Sequence, residues 1–281
     1  MSAFLTASLA LLSLLAPEGE PDVAGVLAEG DAWYARRAEG ARGGTADAAP
    51  VEAAIVAYRR AVAEAPEAIT PRCRLIRALF FRASFCGATA AERHPLLEEA
   101  RRVADAGLEA IEAPANEAQG AERIAVLREV PGAAELHFWS AVAWGEWALT
   151  RGKLAAARHG AGPTIRDLAE TVIALDPELE QGGGYRILGR LHAESPKIPF
   201  LTGWVSRRLA LENLRHSLER GPDNTVTQLF LAEAILDHEP SRKEEARRLL
   251  ESCAAAVPRA EYAVEDAHYA ELARRRLAEL R

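Results

Sequence analysis

Apolar and small positions recur along this chain in steps of four and three, and that spacing predicts helices. Four segments share one order: Ala54, Tyr58, Ala61, Pro66; Ile165, Ala169, Val172, Pro177; Ala210, Leu214, Ser217, Pro222; and Ala246, Leu250, Cys253, Pro258. Such steps put the first three residues of each set on one helical stripe. Small residues on the stripe let a neighbouring helix come close. The proline five positions on ends the helix, because it has no N–H to donate and drives the residue before it towards extended backbone.

A second pattern precedes some of these stripes. It is clearest in GGGYRILGRLH, with Tyr185, Leu188, Gly189 and His192, and weaker at Gly30 with Trp33, at Trp144 with Gly145, and in TQLFLAEAIL. The two halves together resemble the tetratricopeptide-repeat superfamily over nearly the whole chain. The resemblance implies an all-α fold of tetratricopeptide-like antiparallel helix pairs, stacked in an irregular solenoid or a closed bundle. The pairs are expected at about 21–66, 69–112, 132–177, 181–222 and 224–258, with a capping helix at 261–280, all within a single helical-repeat domain 17–281. Long links, GARGGTADAAP, RHGAGPT and ESPKIPFLTGW, depart from tight repeat turns and point to the irregular or closed version.

From Glu135 to Pro258 the order of elements is more distinctive: a Trp-rich helix ELHFWSAVAWGEWAL, a DP turn, a GG-x-x-R-x-LG-x-L run, a Pro-rich link and a repeat ending in Pro. This order resembles the T component of tripartite ATP-independent periplasmic (TRAP) transporters. That resemblance implies a helical periplasmic protein, often lipid-anchored and able to form a homotrimer. Such a protein docks a solute-binding protein and encloses an apolar channel or pocket. No lipobox cysteine stands near the start of this chain, so the anchor is not carried over.

Composition narrows the functional classes. Hydrophobic residues make up 49% of the 281 positions but aromatics only 6%, and the surplus of Ala and Leu favours helix. The formal charge is −7, with Arg interleaved among Glu, so a phosphate backbone meets no basic stripe and nucleic acid is not an expected partner. Cys73, Cys86 and Cys253 lack metal-ligand spacing and read as small buried thiols. Residues 3–16 form an apolar stretch of signal-peptide length, too short to span a bilayer. Two readings follow: residues 1–16 direct export to the periplasm, or they form a first helix on a cytoplasmic protein. No later segment is apolar enough to be a transmembrane span.

Candidate contact residues gather on the Trp-rich helix and after it. Phe138, Trp139, Trp144 and Trp147 crowd one helix, and with Tyr185 and Trp204 they hold much of the aromatic surface. Arg186 and Arg190 stand four apart and could clamp a carboxylate, with Gly182, Gly183 and Gly184 offering backbone donors ahead of their helix. His192 completes the set of ligand- or partner-binding candidates. Core packing of the rings and surface pairing of the arginines are the competing readings. No HxxxH pair, Gly-x-Ser-x-Gly elbow or cysteine nucleophile motif occurs, so no catalytic residue, metal site or cofactor is expected.

The leading expectation is therefore a non-catalytic binding and assembly protein. Its expected partner is a protein such as a periplasmic solute-binding protein, its expected ligand a small apolar molecule or a carboxylate, and self-association is in keeping with the resemblance. A cytoplasmic adaptor that holds a peptide in its repeat groove is the alternative. An enzyme using His137, Arg186 and Arg190 ranks last.

Overall fold

The computed structural model describes residues 22–113, 118–196 and 202–280, so the expectation for residues 1–16 lies outside it. Among the described residues the chain is all-helical, with no extended pairing beyond one bridge between Arg42 and Thr45. The α-helices in order are α1 (Val23–Ala35), α2 (Ala48–Glu64), α3 (Ile69–Phe85), α4 (Ala90–Glu112), α5 (Ala121–Arg128), α6 (Ala133–Arg151) and α7 (Lys153–Arg158). They continue with α8 (Ala161–Leu175), α9 (Leu179–Glu194), α10 (Arg207–Arg220), α11 (Thr225–His238), α12 (Lys243–Ala255) and α13 (Ala263–Glu279).

Local chemistry sets several of these ends. Asp22, Asp47, Ser206 and Asn224 cap their helices by accepting a first-turn backbone N–H, and Thr89 with Glu92 forms a reciprocal capping box on α4. Pro66, Pro177, Pro222 and Pro258 follow the last turns of α2, α8, α10 and α12. Pro95 is an exception: it lies in the second turn of α4, where the capping box carries the helix start upstream of it.

All twelve stripe positions named from the sequence are buried, among them Tyr58 at 1% and Leu214 and Leu250 at 0% exposure. The stripes lie where α2 packs on α1, α8 on α6, α10 on α9 and α12 on α11, and α3 packs on α4 in the same way without a stripe of this kind. A second set of contacts joins α3 to α6, α6 to α9 and α9 to α11. Close approach at two of these pairs rests on glycine. A Cβ on Gly30 would meet the Tyr58 ring at 2.5 Å, and one on Gly189 would meet Leu214 at 2.7 Å and the Ala210 carbonyl at 3.0 Å. Gly145 differs from the pattern that suggested it, since a Cβ there would meet nothing within 4 Å.

The two ends of the described chain meet. α13 packs on α12 and α11 and reaches α3, and the long link after α1 comes to it from the other side. Glu271 on α13 accepts the Gly44 N–H at 3.0 Å. A Cβ on Gly44 would sit 2.3 Å from the His268 backbone, so only glycine fits there. Arg37, 7% exposed, pairs with Glu265 at 3.4 Å and donates to the Glu261 carbonyl. Tyr269 then packs against both main hydrophobic clusters, one built on α2 to α6 and one on α10 to α13.

A buried ionic junction fixes the middle of the chain. His137 is fully buried on α6, with Nδ1 against the Ala133 carbonyl at 2.7 Å and Nε2 against Glu112 at 2.9 Å. Arg123 on α5 also donates to Glu112 at 2.9 Å, reaches Thr171 on α8 at 3.1 Å and lies 3.6 Å from Asp167. Burial would raise the Glu112 carboxyl, but hydrogen bonds from His137 and Arg123 outweigh it and bring the pKa to about 2.

Two outcomes follow. Gly189→Ala should destabilise by about 1–3 kcal/mol through forced repacking, whereas Gly145→Ala should stabilise by about 0.5–1 kcal/mol; urea unfolding of the two variants checks the contrast. Glu112→Gln should cost on the order of 2 kcal/mol at neutral pH. Because the folded pKa lies below the ordinary value of 4.5, that stabilisation is complete above it and is lost as pH falls towards about 2. The gap between wild type and Glu112→Gln should therefore close over that range in pH-dependent denaturation.

Candidate functional site

The backbone itself marks one place. After Pro177 the chain passes through three consecutive left-handed residues, Glu180 (φ 50°, ψ 39°), Gln181 (φ 58°, ψ 53°) and Gly182 (φ 73°, ψ 34°). Left-handed backbone costs a non-glycine residue about 1–2 kcal/mol, so two such residues in a row require support, and strain of this kind gathers at functional positions.

Support comes from α9, α10, the residue capping α11 and the link between α12 and α13. Gln181 Oε1 accepts from Asn224 at 2.9 Å and from Arg259 at 3.0 Å, and its carbonyl accepts from Ser217 at 3.4 Å. Arg186 donates to the Glu180 carbonyl at 3.1 Å, and the Tyr262 hydroxyl donates to Glu180 Oε2 at 3.4 Å. Arg259 is held in turn by Asp266, which is 2% exposed and accepts from its Nε at 2.9 Å and its Nη2 at 2.8 Å, and from Thr225 at 2.8 Å. Burial raises the Asp266 carboxyl, yet these donors hold it below its ordinary value.

The turn leads α9 against α8, α10 and α6, on a side where charged groups from α3, α6, α9 and α13 act on one another in a polar interior. Arg77 comes from α3, Glu146 from α6, Arg186 and Arg190 from α9, and Glu265 and Tyr269 from α13, with Tyr262 just ahead of it. Their fields interlock. Arg77 acts on Tyr34, Glu180, Tyr262 and Glu265; Arg186 on Glu180, Tyr269 and Tyr262; and Tyr269 on Glu146, Arg190 and Glu265. Glu146, Arg186 and Tyr269 are each part-buried, and the Glu146 side chain keeps 27% of its surface accessible.

Desolvation dominates the chemistry there. Burial raises the Glu146 and Glu265 carboxyls above their ordinary values against the pull of Arg93 and Arg37. It pushes the Tyr262 phenol up to about 12 and lowers the Arg186 guanidinium. Glu265 Oε2 has no hydrogen-bond partner among the described residues.

The residues singled out from the sequence separate into three groups. Trp139, Arg186 and Arg190 face or border this interior; Arg77 lies over the Trp139 ring at 5.7 Å, and Arg190 pairs with Glu233 at 2.6 Å and lies 4.2 Å over Phe230. Trp144 turns away to α4, where its indole donates to Asp105 at 2.8 Å beneath Arg101. Tyr185 packs on α10 under Arg220 at 4.4 Å, so it does not join Arg186. His192 and Trp204 form a separate contact at 5.4 Å, with Arg166 5.2 Å over the indole and Gly162 below it. Burial and the Arg166 charge lower the His192 pKa.

The glycine run is packed rather than open. A Cβ on Gly183 would meet Phe138 at 2.4 Å and one on Gly184 would meet Ile173 at 2.9 Å, which leaves no room for an anion on that turn. Sequence reasoning passed over Arg77, Glu146, Tyr262, Glu265 and Tyr269. Spacing carries a trace of the last three: Tyr262 just before α13, and Glu265 and Tyr269 on it, fall in steps of three and four.

Two surface grooves open elsewhere: one of about 450 Å³ by Arg208, Arg215 and His238, the other of about 810 Å³ by Glu112, Arg123 and Thr171. Neither contains a residue selected from the sequence. Among the described residues no helix is long and apolar enough to cross a membrane. No protein-family model and no curated protein matches the chain.

Arg37→Ala should loosen α13 from α1 and α3. Hydrogen exchange followed by mass spectrometry should show faster exchange across 263–279 with α8 and α10 unchanged; uniform exchange rates would contradict this seating of α13.

Proposed function

We propose that this chain is a non-catalytic helical-repeat binding and assembly protein, tetratricopeptide-like in its helix pairs and closed by α13. The observation that carries the reading is the convergence beneath α13 of part-buried charged side chains from helices far apart in sequence. Burial of the four stripes and the glycine contacts at Gly30 and Gly189 support the repeat character. The strained turn at Glu180 supports a site there, because strain is retained where the surroundings over-determine it.

The order of elements from Glu135 to Pro258 makes the T component of TRAP transporters the preferred comparison. On this reading the protein works in the periplasm, docks a solute-binding protein and assembles with copies of itself. A cytoplasmic adaptor holding a peptide along the inner face is less favoured, because α13 already lies there and the peptide would have to displace it.

Capture experiments test the proposal. The tagged full-length chain, expressed in its host and purified under gentle conditions, should bring down an extracytoplasmic solute-binding protein and should carry a new N-terminus after Ala16. Recovery from the cytosol with residues 1–16 intact and no such partner would overturn the periplasmic reading.

A further inference from the structure

One turn of this acidic chain is cationic and apolar at its tip. Between Glu146 and Asp167 the sequence carries four cations, Arg151, Lys153, Arg158 and Arg166, and no acidic residue, in a chain of net charge −7. Among the described residues the exposed large apolar side chains are Val56, Leu149, Leu154 and Val257. Val56 lies on α2 and Val257 after α12, whereas Leu149, 71% exposed, and Leu154, 67% exposed, flank the single turn between α6 and α7.

That turn is held in place from below. Gly152 separates the two helices at φ 79° and ψ 157°, backbone that is essentially restricted to glycine. Ala156 of α7 is buried in the cluster that holds Leu97 and Trp147, and His159 packs edge-on against the Trp147 ring at 5.3 Å. Leu154 and Arg158 stand four apart on the face of α7 opposite Ala156. Leu149 stands four beyond Gly145 on α6, on a side where a Cβ at Gly145 would meet nothing within 4 Å. Five positions of chain leave at most about 18 Å between the Cα atoms of the two leucines.

The chain does not neutralise this tip. Arg151 and Arg158 are exposed, and among the described residues no carboxylate lies within 4.0 Å of either guanidinium. Arg151 meets His94 at 3.4 Å and the Trp147 ring at 5.8 Å. Acids on the elements packed around the turn are paired with other cations: Glu146 with Arg93 at 3.3 Å, Glu92 with Arg82 at 3.6 Å, and Glu98 and Asp105 with Arg101 at 2.7 Å. On α8, Asp167 lies 3.6 Å from Arg123 and Glu170 3.9 Å from Arg166.

An anionic lipid surface matches both features, with phosphates for the guanidinium groups and an acyl boundary for the leucines. A folded protein partner needs about 800 Å² of fitted surface on each side, and neither groove of about 450 or 810 Å³ is lined by a residue from 147–162. A projecting tip of this kind suits a soft phase. The acidity of the remaining chain does not prevent the approach, because at physiological salt charges more than about 8 Å from the bilayer are screened.

We propose that the α6–α7 turn seats the protein on an anionic lipid bilayer, with Leu149 and Leu154 entering the headgroup region and Arg151 and Arg158 against the lipid phosphates. This peripheral seat requires no membrane-crossing helix. It goes beyond the partner-binding reading and stands whether or not a solute-binding protein is captured.

The test is co-sedimentation of the full chain with vesicles of phosphatidylcholine alone and of phosphatidylcholine mixed with phosphatidylglycerol. The protein should bind the mixed vesicles, release as salt is raised, and leave the neutral vesicles unbound. Arg151→Gln and Arg158→Gln should each weaken binding about fivefold, and the double variant Leu149→Ser with Leu154→Ser about tenfold, with helical circular dichroism retained. Hydrogen exchange on the wild-type protein carries the test if a variant does not fold: mixed vesicles should slow exchange across 148–160 and leave 225–238 unchanged. Equal binding to neutral vesicles, no binding to mixed ones, undiminished binding by the folded variants, or protection that spares 148–160 overturns the proposal. Capture of an acidic protein that the leucine variant loses, with no vesicle binding, also overturns it and assigns the turn to a protein partner.

Discussion

Much of this structure depends on how α13 is seated. It packs beside α12 and α11 as the next helix in the chain would, but it also meets residues more than 220 positions away, through Arg37 to Glu265 and Gly44 to Glu271. These contacts join the start and the end of the described chain, so α13 and the helices it meets pack around a shared polar interior. Charge enters that interior as a consequence. Helices that would otherwise present polar faces to solvent now present them to one another, and carboxylates and phenols there are raised by burial.

Enclosure also accounts for the strained turn. α9 must begin close against α6 and α8, with Gly183 on Phe138 and Gly184 on Ile173, while its inward face carries Arg186. A left-handed passage through Glu180, Gln181 and Gly182 makes that entry, and donors from Asn224, Ser217 and Arg259 hold it. Arg259 is fixed by Asp266, whose carboxylate also accepts from the Thr225 hydroxyl at the start of α11. One buried carboxylate thus links the turn, α11 and the approach to α13, so the strain at Glu180 and the closure at α13 belong to one mechanical unit.

The all-helical character was legible because stripe spacing and proline punctuation are local signals, and Tyr58, Ala169, Leu214 and Cys253 are buried as their spacing implied. The failures are those of long-range geometry. Gly145 fits the small position of the repeat yet faces open space, because a motif gives a residue type and not the neighbour opposite it. Gly182 to Gly184 suggested an anion cradle, but helices from elsewhere in the chain fill it. Trp144 and Trp139 lie five apart on α6 and so face different neighbours, one α4 and the other the interior. Arg77 and Tyr269 were not distinguishable from ordinary helix residues, since their importance comes from α3 and α13 being brought together.

The central claim is that α13 closes the fold by holding its far end, and removal of residues 261–281 followed by amide hydrogen exchange tests it most directly. The account predicts faster exchange in two separated places, α11 with α12 beside the lost helix and the segment 34–47 with α3 at the other end of the chain, while α8 keeps its protection. Faster exchange confined to α11 and α12, with 34–47 and α3 as protected as in the intact chain, would contradict it.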